Sequence, residues 1–316
     1  DAFKSANTSS GITFPGARDR IHKDLQDGVV VFTYIGHGST NTLTSEQMIT
    51  KNDIVNMYNN NLGLWLTASC DISRYDNNEH SAGMEAILNP KGGCIALYTT
   101  TRVVFSSENF KLMVATYKNL FPKDDEPAKT LGEIFRLAKI DMGANQNKLN
   151  FTLLGDPAVS LHYPTHRVIT DSINGVRPDE AVMQALGIVT VKGHLEDYNG
   201  NILSSYNGSI KMTVYDKASV LTTLGQTGPK FQYIDYPNKL FSGTISVIDG
   251  NFNTTFMVPK DIRYTDGYGK IVYYAYMDSL PDNDAFGNNT EFEVYGTDPT
   301  AEPSDEGPDV RSYMNA

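Results

Sequence analysis

The first half of the chain alternates short apolar runs with amphipathic stretches of helical spacing. Runs rich in β-branched and aromatic residues predict buried strands at residues 29–35, 63–68 and 94–99. Amphipathic stretches predict helices at residues 18–26, 54–58, 81–88, 108–121 and 130–142. Strands joined through a helix pair in parallel, so this half is predicted to be a doubly wound α/β domain. Two short apolar runs, 151–154 and 158–163, predict a hairpin or an edge of the sheet.

After Pro164 the helical spacing disappears and the pattern becomes that of short strands. Strands are predicted at residues 187–195, 209–215, 231–234, 242–248, 252–258 and 271–276. Asp249-Gly250 lies between two of them and is typical of a tight hairpin turn. We therefore expect three parts: the C-terminal portion of a larger α/β domain (1–164), an antiparallel β-sandwich (165–297), and an acidic Pro/Gly-rich linker (298–316).

The composition of the chain limits the classes of binding partner that are expected and the possible states of its cysteines. The 316 residues carry 26 basic and 37 acidic side chains, a formal net charge of −11, and no basic run. This charge argues against nucleic acid or an anionic membrane surface as the partner. With only two cysteines, a disulfide framework is not indicated. A Cys70–Cys94 bridge and two free thiols both fit that count, although Cys94 lies within a predicted strand, where a buried free thiol is common.

A histidine and a cysteine follow two of the predicted strands directly. His37 stands in Gly36-His37-Gly38-Ser39 after the first strand, and Cys70 comes after the second. The carboxyl ends of parallel strands meet at one edge of a sheet, which is where ligands bind in open α/β folds. A thiol beside an imidazole is the minimum apparatus for covalent acyl transfer, so the sequence predicts a cysteine nucleophile with a histidine base.

Each residue of the predicted site has an expected role. His37 takes the proton of Cys70, the thiolate attacks a peptide carbonyl to form a thioester, and His37 protonates the leaving amine. The backbone N–H groups of Gly38 and Cys70 are the expected oxyanion donors. The candidates for the wall of the substrate pocket are Ser39, Thr99, Thr100 and Arg102.

The sequence leaves the third catalytic group and any metal open. Asp71, Asp76 and Glu79 follow Cys70, but acids of this kind are most often solvated loop residues. Their oxygens also suit calcium, although the spacing does not match an EF-hand loop. The chemistry requires no cofactor, and the remaining histidines show no metal-binding spacing: His22, His80, His162, His166 and His194.

Several motifs, in order, resemble those of the gingipain-type cysteine peptidases. The match is closest to the branch that acts as sortase of the type IX secretion system, and it covers most of residues 16–297. Similarity to that branch also includes the segments 99–102, 241–243 and 258–260. The shared motifs are Tyr34-Ile35-Gly36-His37-Gly38-Ser39, Thr67-Ala68-Ser69-Cys70, Asn89-Pro90-Lys91-Gly92-Gly93 and Leu153-Leu154-Gly155-Asp156-Pro157.

The resemblance implies a caspase-like α/β fold with a His/Cys pair at His37 and Cys70, followed by an Ig-like domain. It implies a place on the outer membrane of a Gram-negative bacterium of the Bacteroidetes, beside the secretion components. The implied reaction removes the C-terminal signal domain of secreted cargo and can pass the acyl group to lipopolysaccharide. The assisting acid is then expected upstream of residue 1. A non-catalytic surface scaffold and a general secreted endopeptidase remain the alternatives.

Overall fold

The chain has a mixed α/β fold divided into two compact units. A computed structural model describes residues 3–9, 11–122, 127–226, 228–263, 265–280 and 283–301. The first unit comprises residues 1–163 with 222–231, and the second comprises 164–221 with 232–316. Residues 222–231 were predicted to lie in the second domain. Most of the predicted linker, residues 302–316, lies outside the described residues.

The first unit contains eight described strands and five described helices. Its strands are β1 Ala6–Thr8, β2 Gly11–Thr13, β3 Val31–Ile35, β4 Thr42–Leu43, β5 Ile49–Thr50, β6 Gly63–Ala68, β7 Cys94–Thr100 and β8 Phe151–Leu154. Its helices are α1 Pro15–Asp27, α2 Lys51–Val55, α3 Ala82–Leu88, α4 Ser106–Leu120 and α5 Leu131–Asp141, with a short 3₁₀ helix at Asn147–Asn150.

A four-stranded sheet in the order β3-β6-β7-β8 forms the centre of this unit. β3, β6 and β7 are parallel, and β8 is antiparallel to β7. Every residue of β6 is buried, because alternate side chains enter two different cores. Leu64 and Leu66 pack with α4 and α5, whereas Trp65 packs with α1, α2 and α3. Helices therefore cover both faces of the sheet.

The hydrophobic pattern predicted the central strands β3, β6 and β7 to within two residues. It missed the short strands β1, β2, β4 and β5, and it began α1 three residues late. Residues 151–154 form the edge strand β8, but the run 158–163 forms no strand and has a single bridge, between Thr130 and Ser160. The helix predicted at 54–58 is α2, which begins at Lys51. It begins earlier because Thr50 caps it, with the Thr50 hydroxyl accepting from the Asp53 amide at 3.2 Å and the Asp53 carboxylate accepting from the Thr50 amide at 2.8 Å.

Beyond residue 164 the described elements are strands and one 3₁₀ helix, Pro178–Glu180. The strands are β9 His166–Ile173, β10 Val182–Ala185, β11 Ile188–Glu196, β12 Gly208–Tyr215, β13 Ser219–Thr222, β14 Gln232–Asp235, β15 Lys239–Val247, β16 Asn251–Met257, β17 Lys270–Tyr276, β18 Ala285–Asn289 and β19 Glu293–Thr297. All six predicted strands are present, while β9, β10, β13, β18 and β19 were not predicted.

Seven of these strands form one sheet in the order β15-β12-β17-β18-β9-β11-β16. The outermost strands, β15 and β16, are joined by the predicted hairpin turn, in which Asp249 and Gly250 both have positive φ. A sheet whose edges meet at a tight turn must curve, and its concave side holds a core that includes Tyr273 and Phe292. The pairing is antiparallel except between β9 and β18, and the separate pair β10–β19 is also parallel. None of the described helices combines the length and apolar character needed to cross a membrane.

Candidate active site

The register of β3 and β6 brings the histidine and the cysteine to equivalent positions. Ile35 lies opposite Ala68 in this parallel pair. Beyond the strand, the Gly36 amide still donates to the Ala68 carbonyl at 3.3 Å. His37 and Cys70 are therefore each two residues past a paired position, at the carboxyl edge of neighbouring parallel strands.

Gly38 allows the two loops to touch. A Cβ atom placed on Gly38 would lie 2.1 Å from the Ser69 hydroxyl oxygen and 2.9 Å from the Thr42 carbonyl oxygen. Both distances are shorter than side-chain atoms tolerate, so only glycine permits this approach. The loop after His37 thus packs directly against the residue that precedes Cys70.

The backbone of His37 is held from two sides, while its ring is exposed. The Tyr34 hydroxyl donates to the His37 carbonyl at 2.7 Å, and the Thr44 amide donates to the same oxygen at 3.0 Å. Burial, together with the negative charge of Glu46, raises the pKa of Tyr34 to about 12. The Tyr34 hydroxyl consequently remains a protonated donor throughout the neutral range.

The two cysteines are free thiols in different surroundings. Cys70 is half-buried, and its thiol donates to the Val104 carbonyl at 3.6 Å. Within the described part of the chain, no hydrogen bond joins that thiol to His37. Cys94 is buried in the core, bonds to the Ala86 carbonyl, and has a raised pKa because burial disfavours its thiolate. Of the two states left open by the sequence, the structure has the free thiols.

Two backbone amides at the edge of the sheet, those of Gly38 and Cys70, have no hydrogen-bond acceptor among the described residues. The chain turns sharply after the second of them, since Asp71 has a φ of +55° in the left-handed region. Unclaimed N–H groups at a strand end are suited to stabilising negative charge on an oxygen atom.

Of the predicted pocket residues, two lie inside the sheet. Thr99 and Thr100 are fully buried in this structure because β7 is covered on both faces. Thr99 shares hydrogen bonds with the hydroxyls of Thr67 and Ser73, at 2.9 and 2.8 Å. The hydroxyl of Thr100 donates to the Ser69 carbonyl. These threonines support the strand end from within and present no side chain to a surface pocket.

The other two predicted pocket residues are exposed. The Ser39 hydroxyl accepts from the Asn41 amide at 3.2 Å, a local turn contact. Arg102 pairs with Asp76 through an N–O contact of 2.8 Å, so its guanidinium links the segment after β7 to the loop after Cys70. A hydrogen bond from Arg74, followed by the charge of Arg102, lowers the pKa of Asp76. Arg102 is therefore engaged with a protein carboxylate.

The acids near Cys70 do not form a metal cluster. Throughout the described part of the chain, no group of three or more His, Cys, Asp or Glu side chains is placed to hold a metal ion. Glu85, on α3, pairs with His80 at 3.3 Å. Of the acids near this site, Asp76 pairs with Arg74 and Arg102, and Glu85 pairs with His80.

Two supporting residues, Tyr34 and Asn109, were not identified from the sequence. The amide of Asn109 donates to the Ala68 carbonyl at 3.1 Å and is almost completely buried. The sequence does contain a feature that could have identified Asn109, which lies on the apolar face of α4 with Leu112, Met113 and Leu120. A polar residue on such a face requires a buried partner. Tyr34 offered no comparable signal, since an aromatic residue in a strand is ordinarily a core residue.

The sequence model of peptidase family C25 matches residues 1–162. Among solved structures, dimeric latent PorU from Porphyromonas gingivalis is 32% identical, over 66% of this chain and 20% of that one, with a TM-score of 0.42. The Arg-specific cysteine proteinase gingipain R is 14% identical, over 88% of this chain and 56% of that one, with a TM-score of 0.43. The chain thus spans a fifth of the first structure's length and just over half of the second's. No curated protein matches it.

Proposed function

The chain belongs to peptidase family C25, and from this membership we propose that its protein is a cysteine endopeptidase with Cys70 as nucleophile and His37 as proton carrier. The observation that carries the assignment of these residues is their equivalent position beyond two paired parallel strands, Ile35 lying opposite Ala68. The unclaimed amides of Gly38 and Cys70 support it, because acyl transfer needs donors for the developing oxyanion.

The proposed reaction proceeds through a thioester. The Cys70 thiol gives its proton to the exposed imidazole of His37, and the sulfur attacks the scissile carbonyl carbon. The amides of Gly38 and Cys70 stabilise the oxygen of the tetrahedral intermediate. Its collapse breaks the C–N bond, and His37 returns the proton to the leaving amine. Water or an amine then attacks the thioester, restoring the thiol and releasing an acid or a new amide.

We further propose that the first unit is the C-terminal part of a caspase-like peptidase domain and that the second unit is an Ig-like β-sandwich. The parallel order β3-β6-β7 with helices on both faces supports the first part of this proposal. The curved seven-stranded sheet around one core supports the second. In gingipain-type enzymes the orienting acid lies upstream of the histidine, so functional tests require the full-length protein.

The proposed substrates are the C-terminal signal domains of secreted cargo proteins, cleaved in a sortase-like reaction. This rests on the motifs that resemble the secretion-system branch and on the 32% identity to PorU. A thioester can be resolved by an amine, which makes transfer of cargo to lipopolysaccharide chemically consistent. The proposed location is the outer surface of a Gram-negative bacterium, beside outer-membrane secretion components. The net charge of −11 gives no support for a nucleic acid partner.

A non-catalytic surface scaffold is the main competing function. One observation favours it: among the described residues, neither the Cys70 thiol nor a carboxylate is hydrogen-bonded to the His37 ring. Thiol alkylation separates the two functions. An activated Cys70 is expected to react with iodoacetamide near neutral pH much faster than the buried Cys94, whereas equal, slow labelling of both thiols favours the scaffold.

The decisive experiment uses the full-length protein and a cargo protein that carries its C-terminal domain. Cys70→Ala is expected to abolish cleavage, because it removes the sulfur that forms the thioester. Cys94→Ala is the matched control, since it removes the other thiol and leaves the site intact. Cleavage that continues at the wild-type rate in Cys70→Ala would refute the proposal. Cleavage of random peptide libraries at comparable rates would instead identify a general endopeptidase.

A further inference from the structure

A chain of hydrogen bonds runs inward from the Cys70 thiol. The thiol donates to the Val104 carbonyl at 3.6 Å. The N–H of the same peptide group, that of Phe105, donates to Oδ1 of Asn147 at 2.9 Å. Asn147, at the start of the 3₁₀ helix, therefore sets the orientation of the peptide group that accepts the hydrogen bond from the thiol.

The same chain continues to the loop that carries the histidine. Nδ2 of Asn147 donates to Oδ1 of Asn109 at 2.9 Å, and Nδ2 of Asn109 donates to the Ala68 carbonyl at 3.1 Å. That carbonyl also accepts the amide of Gly36, the residue before His37, at 3.3 Å. Two buried asparagines thus connect the peptide group that accepts from the Cys70 thiol to the loop that carries His37.

The burial of these amides needs a compensating gain. Asn109 is 3% exposed and Asn147 is 6% exposed. Buried amides are unfavourable unless their hydrogen bonds are satisfied, and an apolar residue on the inner face of α4 would avoid that requirement. Here each amide uses its oxygen as an acceptor and its nitrogen as a donor, and the bonds end at the two loops of the site.

We propose that Asn109 and Asn147 are positioning residues of the peptidase site, an inference that rests on the proposed function. They hold the Val104 carbonyl and the end of β6 in one fixed arrangement, which keeps the sulfur within reach of the His37 ring. Successive hydrogen bonds in a buried chain polarise one another, so the loss of either amide weakens the whole chain. Small misplacements of reacting groups have large effects on rate.

Asn59 provides a matched control within the same unit. It is 4% exposed, accepts from the Gly93 amide at 2.8 Å, and donates to the Gly93 carbonyl at 3.1 Å. Gly93 directly precedes β7, at the amino end of the sheet and away from the carboxyl edge. Replacing Asn59 removes buried amide hydrogen bonds of the same kind without touching the chain that ends at Cys70.

The test measures alkylation of Cys70 by iodoacetamide from pH 5 to 9 in the full-length protein, by mass spectrometry. The near-isosteric variants Asn109→Leu, Asn147→Leu and Asn59→Leu are compared after thermal unfolding confirms that each is folded. At pH 7 the first two are expected to slow Cys70 alkylation about tenfold, because the imidazole no longer assists the thiol. Their rates should approach the wild-type rate at pH 9, where the thiolate forms unaided. The Asn59 variant should stay within about twofold of wild type.

Three outcomes would overturn the inference. The variants at Asn109 and Asn147 could be folded and react with the wild-type rate and pH profile, or Asn59→Leu could slow Cys70 equally, which would indicate a general loss of stability. If wild-type Cys70 reacts no faster than an ordinary exposed thiol, both the proposed function and this inference fail. An activated wild-type thiol with unaffected asparagine variants rejects the inference alone.

Two further variants keep the test decisive. If a leucine variant does not fold, Asn109→Asp still accepts from Asn147 but loses its donor to Ala68, and it is expected to slow Cys70 in the same direction. In the double variant Asn109→Leu/Asn147→Leu, the loss should not exceed that of the more affected single variant, because both residues belong to one chain. If the losses of alkylation rate in the two single variants multiply in the double variant, the two asparagines do not act through one hydrogen-bond chain.

Discussion

Tyr34 shows how one side chain can organise a loop without touching the reacting atoms. Its aromatic ring packs against a core of the first unit, and its hydroxyl donates to the His37 carbonyl at 2.7 Å. Gly36 makes this possible, since a Cβ there would lie 2.4 Å from the Tyr34 hydroxyl oxygen. The Gly36-His37 segment therefore needs a glycine for this close packing.

Removing this hydroxyl should impair activity more than stability. Tyr34→Phe is expected to lower kcat/KM for cargo cleavage about three- to tenfold, since one net hydrogen bond that orients His37 is lost. Because the pKa of Tyr34 is raised to about 12, the loss should be the same at every pH from 6 to 9. The measurement is steady-state kinetics on the full-length protein.

Tyr117→Phe is the control for this substitution. Tyr117 shares a 2.7 Å hydrogen bond with the hydroxyl of Thr33, on the same strand β3 but not on the loop of His37. Its loss should leave kcat/KM within about twofold of wild type, because a surface hydrogen bond contributes little. Equal effects of the two substitutions would refute a specific role for Tyr34.

Among the elements, two short helices contrast in how they begin. α2 is capped by Thr50, with reciprocal hydrogen bonds to Asp53. α3 follows Ser81, which occupies the same cap position, but its hydroxyl is buried and has no hydrogen-bond partner among the described residues. Serine and threonine are both favoured at this position, yet only Thr50 makes the capping bond. Whether a cap residue makes its bond depends on its rotamer, and the rotamer depends on neighbours such as those that bury Ser81.

This contrast predicts opposite effects of the same substitution. Thr50→Ala should lower the free energy of unfolding by about 1 kcal/mol, the usual value of a capping hydrogen bond. Ser81→Ala should have no cost or should stabilise slightly, since it removes a buried hydroxyl that lacks a partner. Urea denaturation of both variants measures the difference, and a larger loss in Ser81→Ala would contradict the assignment of the caps.

The strands illustrate which elements a pattern can predict. β6 and β7 are continuous apolar runs and were predicted within one or two residues. β9 was missed because polar residues such as His166, Thr170 and Asp171 interrupt it. It is stabilised by its partners β11 and β18, which are distant in sequence. Pairing with a remote strand is not encoded in the local alternation of polar and apolar residues.

In the molecule as a whole, both units bury ionisable groups at the cost of pH-dependent stability. In the first unit, Asp53 has a lowered pKa: its burial acts to raise the value, but hydrogen bonds from Thr50 and the nearby Arg18 outweigh that. In the second unit, burial also acts to raise the pKa of Asp216. Hydrogen bonds from the Arg263 amide and Lys217 outweigh this effect, so the pKa of Asp216 is lowered. Stability from such carboxylates is present above pH 4 and lost as the pH falls through their folded values.

Buried tyrosines make the stability of the protein depend on pH at the alkaline end of the range. Burial, with nearby negative charge, raises the pKa of Tyr34 and Tyr206 to about 12, and burial also raises the pKa of Tyr98 and Tyr273. A raised value means that the unfolded chain loses its protons first, so stability falls as the pH rises above 10. The free energy of unfolding therefore falls both when the pH drops below 4 and when it rises above 10.

We accordingly expect a plateau of stability between about pH 5 and 9. Above it, the free energy of unfolding should fall by about 1 kcal/mol per buried tyrosine between pH 9 and 11, and below pH 4 it should fall again. Equilibrium unfolding in urea at each pH provides the measurement. A stability that is unchanged from pH 9 to 11 would show that these hydroxyls are not buried in solution.

The candidate site could be located from the sequence because its two reactive residues follow strands that the local pattern predicts. The positions of His37 and Cys70 depend on where the strands end, which is a property of a few adjacent residues. The need for glycine at Gly38 arises instead from its contact with the remote Ser69. The resemblance to gingipain-type peptidases through residues 34–39 and 67–70 agrees with the match to family C25. The burial of Thr99 and Thr100 was not predicted, because it depends on helices packed over both faces of β7.

The partners of the site arise only when remote segments meet. The thiol of Cys70 bonds to Val104, and the strand end before it bonds to Asn109, across separations of 34 and 41 residues. No local pattern encodes such contacts, since they form when α4 packs on β6 and the 3₁₀ helix packs beside them. Short-range sterics and hydrophobic periodicity thus specify which residues end each strand, while long-range packing specifies what those residues touch.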